Sequence, residues 1–273
     1  MPEGPEVKTV ARTLAKEIVG HKLLKLWHSQ HRLRQAVDYS LLRRMENAVV
    51  DGVSSYGKVL FISVDQKPSM MVQLGMTGQL TVQPADAPLL PHTHLRWPLN
   101  NTGRELRYVD PRRFGLIRAC DEGLKKTIIS KLGPDPFFMT PKDHGPLIAA
   151  MKGKNRSVKD VLLDQSVIAG VGNIYASEAL FLAKIYPARL AATISEHQYQ
   201  ALILAILSVL RTAFDNCGTS FSNYVDGSGR KGENLAFLKV FQRDGLPCTK
   251  CGQVILRMKQ GGRSTFFCPV CQK

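Results

Sequence analysis

Cys248, Cys251, Cys268 and Cys271 close the chain in the pattern C-x2-C-x16-C-x2-C. Two C-x2-C pairs at that spacing make two tight knuckles joined by a hairpin, and four thiolates so placed complete a tetrahedron around one Zn²⁺. With no open coordination position, such a centre is structural. Cys120 and Cys217 stand alone, and six thiols with this spacing point to metal ligation in a reducing compartment, not to a disulfide framework. The hairpin interleaves Arg257, Lys259 and Arg263 with Val254, Ile255, Leu256, Phe266 and Phe267, so its tip is basic and its body apolar.

The rest of the chain shares that charge. Lys and Arg number 37 against 22 Asp and Glu, a formal net charge of +15 over 273 residues. A field of one sign favours a polyanionic partner, nucleic acid first. A hydrophobic content of 44% supports a packed core and excludes disorder for most of the chain. The longest apolar stretch, Ala201 through Leu210, is about half of the ~20 residues a spanning helix requires. The opening MPEGPEVKTV carries acids and no apolar segment, unlike a secretory signal. We expect a cytoplasmic protein that binds no membrane.

Periodicity divides the chain. Val7, Val10, Ala11, Leu14 and Ile18 lie on one face of a helix over 5–19, with Gly20 as its stop. From His21 to about Ala119, short β-branched and aromatic runs such as KVLFISV, GQLTV and THLRWPL alternate with turns about every ten residues, the rhythm of a sandwich or barrel. The stretch 133–146, rich in Gly and Pro, reads as a linker. Helices are expected near 146–151, 157–163, 173–183 and 195–214, the last opening with the capping-box pair Ser195 and Gln198. A basic Gly/Ser loop, 226–233, precedes the cysteine hairpin.

Several short segments carry chemistry. Pro2, Glu3, Pro5 and Glu6 make a good helix start. With Met1 removed, Pro2 also offers a secondary amine, of a class titrating near ~8, that forms an iminium with an aldehyde-like carbon. Glu3 beside it suits acid–base work. Lys58 follows Gly57 at the head of a strand. Met76 sits at the tip of the turn Gly75–Gly78, as a core side chain or as a wedge for a base stack. Arg112, Arg113 and Phe114 stand in a Pro/Gly-bounded loop suited to phosphate contact and intercalation. The glycines before Asn173 would expose backbone N–H groups at a helix start, where a phosphate can sit.

In order along the whole chain, PEGPEV, Lys58 after Gly57, LGMTGQL, DPRRFG, AGVGNIYASEALF and RSTFFCPVCQ resemble the family of formamidopyrimidine-DNA glycosylase and endonuclease VIII. The resemblance implies an α+β fold: an N-terminal β-sandwich with flanking helices (1–132), a linker (133–146), a helix-two-turn-helix domain with a lesion-capping loop (147–235) and a C4 zinc finger (236–273). It implies a bifunctional DNA glycosylase/AP lyase of base excision repair. Such an enzyme excises 8-oxoguanine and formamidopyrimidines through an N-terminal proline Schiff base with β,δ-elimination. Pro2 would be the nucleophile, Glu3 the acid/base, and Lys58 and Arg263 would complete the catalytic set. Met76, His94, Arg112, Arg113, Phe114 and Asn173 would contact DNA, Arg112 facing the orphaned cytosine. Glu6, Thr219, Ser220 and Tyr224 would belong to the lesion pocket. The implied partner is duplex DNA with an oxidised base. The implied cofactor is one structural Zn²⁺ with no small molecule, in a monomer of bacterial, nucleoid-associated type.

Gly4 stands where leucine is usual in the formamidopyrimidine enzymes and matches endonuclease VIII, which prefers oxidised pyrimidines. DPRRFG and LGMTG spell the purine branch, and as longer contact-making segments they outweigh one residue. A non-catalytic zinc-ribbon DNA-binding protein would explain the charge and the finger but not the Pro2–Glu3 terminus. A small-substrate enzyme using N-terminal proline would explain that terminus but neither the charge nor the finger.

Overall fold

The structure is a computed structural model describing residues 2–65, 67–221 and 223–273. It divides into two compact units, Met1–Ser130 with Phe214–Leu235, and Lys131–Ala213 with Ala236–Lys273.

The first unit runs α1 (Gly4–Ile18), β1 (Trp27–His28), α2 (Tyr39–Arg43), β2 (Val50–Tyr56), β3 (Val59–Val64), β4 (Lys67–Gln73), β5 (Gln79–Pro84), β6 (Thr93–Pro98), β7 (Arg104–Val109), β8 (Leu116–Cys120) and α3 (Glu122–Ser130). α1 starts where sequence predicts, because Glu3 and Glu6 form a reciprocal capping box and Pro5 occupies the first turn. Its apolar stripe is buried, with Val10, Leu14 and Ile18 fully inaccessible. Gly20, at φ +85°, follows the helix end.

Two antiparallel four-stranded sheets, in the orders β1-β6-β7-β5 and β2-β3-β4-β8, supply most of the rest of this unit's core. Leu60 pairs with Val72 and Val72 with Ile117 in one sheet, Trp97 with Leu106 in the other. All of these side chains join the cluster formed with α1. β3 is buried along nearly its whole length because both its faces are covered. On the face away from the cluster, the Lys125 ammonium of α3 lies 5.4 Å from the Phe61 ring.

Phe214–Leu235 differs from the sequence expectation, which grouped it with the helical domain. Gly227 accepts the backbone N–H of Val82 and donates to Thr13 Oγ1, both at 2.8 Å, fastening the segment to β5 and α1. A Cβ on Gly227 would lie 2.7 Å from Leu14 Cγ, so only glycine allows this approach.

The second unit contains α4 (His144–Lys152), α5 (Val158–Leu162), α6 (Asn173–Leu182), most of α7 (Glu196–Asp215), and the hairpin β9 (Leu256–Gln260) and β10 (Arg263–Phe267). α7 begins with the expected exchange, the Ser195 and Gln198 side chains each accepting the other's backbone N–H at 3.2 Å. α6 is enclosed on every side, and Ile174 through Phe181 are all buried, including the polar Ser177 and Glu178.

The stretch read as a linker is instead packed into this unit. Gly133 donates to Gln165 O and Pro134 O accepts from Ala169, while a Cβ on Gly133 would come within 2.3 Å of the Val167 backbone. Its Gly and Pro residues serve close approach rather than flexibility. No described helix is long and apolar enough to cross a membrane.

Candidate active site

The N-terminal residues form a buried cluster in the first unit. Pro2 is buried, and Glu3 and Glu6 are 2% and 1% exposed. Glu6 Oε2 accepts the Glu3 backbone N–H at 2.8 Å, and Glu6 Oε1 accepts the Thr219 N–H at 2.8 Å. One carboxylate therefore serves both as a first-turn helix acid and as the anchor of a distant loop. Gly218, at φ +88°, brings that loop close: a Cβ there would lie 2.8 Å from the Tyr224 ring and 3.0 Å from Glu6.

The four predicted lesion-pocket residues share one network. Tyr224 Oη donates to Cys217 O at 3.0 Å, and burial, reinforced by the nearby Glu6 charge, raises the phenol's pKa so that it stays a donor. Ser220 Oγ donates to Tyr224 O and accepts from Gly232 N, both at 2.8 Å. Thr219 Oγ1 accepts from Asn234 Nδ2 at 2.9 Å. Ser222, between the expected lesion-pocket residues Ser220 and Tyr224, lies outside the described residues. Lys58 sits in the turn between β2 and β3, after Gly57 at φ +56°.

The candidate wedge is a pair of loops organised by Asp110. This fully buried carboxylate accepts from Thr77 Oγ1 at 2.5 Å, Gly115 N at 2.8 Å and Tyr108 Oη at 3.2 Å. Gly75 must be glycine, since at φ +66° its Cβ would lie 2.7 Å from the Phe114 carbonyl carbon. The two loops thus touch through backbone. Their tips face solvent, with Met76 42% and Phe114 46% exposed. The Arg112 guanidinium lies 4.7 Å from the Phe114 ring centroid, a stack that holds cation and ring together, and Arg113 adopts φ +57°.

His94 does not join this surface. It is 1% exposed, with Nε2 against Asp110 O at 3.1 Å and Nδ1 against Ser29 Oγ at 3.1 Å. Because the carbonyl only accepts, Nε2 carries the proton and Nδ1 accepts from Ser29. Burial lowers the imidazole's pKa, favouring this neutral form. The imidazole expected at the DNA surface is instead buried behind the paired loops, held between Asp110 and Ser29. Two exposed imidazoles lie nearby: His31, edge-on to the His94 ring at 6.5 Å, and His92, at φ +64°, whose carbonyl accepts the Asp110 N–H.

In the second unit Asn173 opens α6 and donates from Nδ2 to Ser264 O at 2.9 Å. Arg263 is exposed at the finger tip and, with Asn173 and Ser264, lines an open cleft. Two residues unmarked by the sequence hold this arrangement. Lys159 is fully buried and donates to Thr265 Oγ1 at 2.6 Å and Ser264 O at 3.3 Å. Glu178 accepts the backbone N–H groups of Lys239, Val240 and Phe241 at 2.8, 2.9 and 2.8 Å, although burial raises its pKa. Neither has a local signature, since each partner lies more than 60 residues away.

The four finger cysteines place their sulfurs within 4.8 Å of one another. Cys248 and Cys271 are 3.9 Å apart and Cys251 and Cys268 3.5 Å, too long for disulfides. A tetrahedron with ~2.3 Å Zn–S bonds requires about 3.8 Å between sulfurs, so the set fits one structural zinc.

Family models match the chain in three blocks. These are the formamidopyrimidine-DNA glycosylase N-terminal domain over residues 1–117, the H2TH domain of the same enzymes over 132–224, and a zinc finger found in FPG and IleRS over 245–273. The chain is 39% identical over 284 residues to the formamidopyrimidine-DNA glycosylase of Herpetosiphon aurantiacus, covering 100% of each. It is likewise 39% identical over 283 residues to that of Acidiphilium cryptum, again covering 100% of each. Among solved structures it is similar to wild-type Lactococcus lactis Fpg in complex with DNA containing N7-benzyl-Fapy-dG, at a TM-score of 0.90, 31% identity and full coverage of both chains. The same enzyme in complex with DNA containing an oxidised pyrimidine matches at 0.89, 31% and full coverage.

Proposed function

The chain belongs to the formamidopyrimidine-DNA glycosylase family, and from that premise we propose that this base-excision-repair glycosylase removes oxidised purines with Pro2 as nucleophile. The observation that carries the reading is the Glu6 carboxylate, which binds the N–H of Glu3 and that of Thr219 and so ties the reacting terminus to the loop over the flipped base. Met1, whose removal this requires, lies outside the described residues.

The damaged nucleotide leaves the stack, at a cost of a few kcal/mol. Met76, Arg112 and Phe114 fill the space and offset that cost, with Arg112 hydrogen-bonding the orphaned cytosine. The Pro2 amine attacks C1′ as the free base, and the damaged base departs with the glycosidic electron pair and the proton given up by the alkylated nitrogen. Glu3 protonates the ring oxygen as the sugar opens, giving an iminium between Pro2 and C1′. That cation accepts the electrons released when the C2′ proton is removed. The 3′-phosphate leaves by β-elimination and the 5′-phosphate by δ-elimination, and hydrolysis frees Pro2. Lys58 binds a phosphate beside the reacting sugar. Asn173 and Arg263 hold flanking phosphates, and the lesion is read by the loop at Thr219, Ser220 and Tyr224. The enzyme acts as a monomer with its structural zinc and no small-molecule cofactor.

The purine reading rests on the DPRRFG and LGMTG loops, and Gly4, buried at the start of α1, is the feature that favours oxidised pyrimidines. Single-turnover excision from matched duplexes bearing 8-oxoguanine opposite cytosine or an oxidised thymine decides between them. Faster release of 8-oxoguanine supports the purine reading, and faster release of the thymine product overturns it.

A further inference from the structure

We propose that Arg257 is a phosphate-binding residue, a second guanidinium acting with Arg263 and Asn173 in the cleft of the second unit. The inference rests on the reading of that unit as a holder of DNA phosphates and adds a residue to it.

Arg257 pairs with Phe266 across the β9–β10 hairpin, so the two side chains and that of Ser264 lie on one face. The exposed guanidinium is already oriented. Its Nε donates to Ser264 Oγ at 3.1 Å and its Cζ lies 5.9 Å from the Phe266 ring centroid. Phe266 in turn stands edge-on to Phe241 at 5.0 Å, and the Phe241 N–H is held by Glu178 of α6, the helix that begins with Asn173.

Arg257, Arg263, Asn173 and Ser264 line the same cleft, together with the acid Asp244. Among the described residues no carboxylate pairs with either guanidinium: Arg257 bonds only Ser264, and Arg263 only Gly261 O, at 3.5 Å. Ser264 links the set, its carbonyl taking Asn173 and its hydroxyl taking Arg257. A fixed fork of N–H donors with its terminal nitrogens toward solvent suits phosphate oxygens, and its hydroxyl partner leaves the charge uncompensated.

The test is the salt dependence of affinity for a duplex with a tetrahydrofuran abasic analogue, measured on the zinc-loaded enzyme and checked by zinc content. Arg257→Ala is expected to reduce the slope of log K against log salt by about 0.9, one phosphate's worth. Its deficit relative to wild type then shrinks about 3.5-fold between roughly 50 and 200 mM salt. Arg257→Lys, which keeps the charge if Ala disturbs the hairpin, restores the slope. Ser264→Ala weakens binding at every salt concentration with the slope unchanged. An unchanged slope in Arg257→Ala beside a reduced slope in Arg263→Ala overturns the role of Arg257 alone. Unchanged slopes in both overturn the phosphate cleft itself, and neither result bears on the chemistry of Pro2.

Discussion

Glu6 accepts the backbone N–H of Thr219 at 2.8 Å across 213 residues of chain. Its other oxygen caps α1 through the Glu3 N–H, so the helix start and the loop at Thr219 depend on one carboxylate. Glu6→Gln puts an amide donor where one of two N–H groups now finds an acceptor, leaving a buried mismatch worth about 1–3 kcal/mol. We expect a lower Tm and slower excision of 8-oxoguanine, with cleavage of a pre-formed abasic site affected less. Equal losses on the two substrates would contradict the loop's role in base recognition.

Asp110 works the same way for the paired loops that carry Met76 and Phe114. Asp110→Asn keeps size but turns one acceptor into a donor facing Thr77 or Gly115, at a cost of about 1–3 kcal/mol. A 2-aminopurine reporter beside the lesion should show slower unstacking, and Phe114→Ala should share the defect. Wild-type unstacking in Asp110→Asn would mean that the two loops hold their positions without it.

Zinc removal should act on one unit. Because metal binding stabilises the fold that presents Arg263, Cys251→Ser or strong chelation should remove DNA binding while the first unit keeps its β-sheet spectrum and cooperative unfolding. Full affinity in a metal-free preparation would contradict the structural role of the finger.

His94 gives stability a pH dependence of known sign. Its pKa is lowered in the fold from the ordinary 6.5, so the unfolded chain binds the proton more readily. Stability contributed by the neutral ring is present above about 6.5 and is lost as pH falls below it. Melting temperatures recorded from pH 7 to 5 should fall less steeply in His94→Asn, which lacks the titrating group. Parallel curves would show that His94 is not the group responsible.

What the sequence made legible were features with short-range signatures. The cysteine spacing, the α1 stripe with its Gly20 stop, and the Ser195–Gln198 cap of α7 are each written within a few residues or one repeating pattern. α3 is harder to read because its short apolar stripe, Leu124, Ile128 and Ile129, is only half-buried and no side chain of the helix is fully covered. α2 is five residues long and buries only Leu42. The burial of His94 has no local signature, because Ser29, which bonds its ring, lies 65 residues away. The roles of Lys159 and Glu178 likewise come from tertiary partners, and the stretch 133–146 has the composition of a linker because its glycine permits close packing against Val167.

The central claim is that Pro2 forms the covalent intermediate. Borohydride reduction during reaction with an 8-oxoguanine duplex, followed by peptide mapping of the adduct by mass spectrometry, tests it most directly. The account predicts one stable adduct on the N-terminal peptide at the Pro2 nitrogen, absent when Met1 is retained. Attachment to Lys58 or another lysine would contradict it.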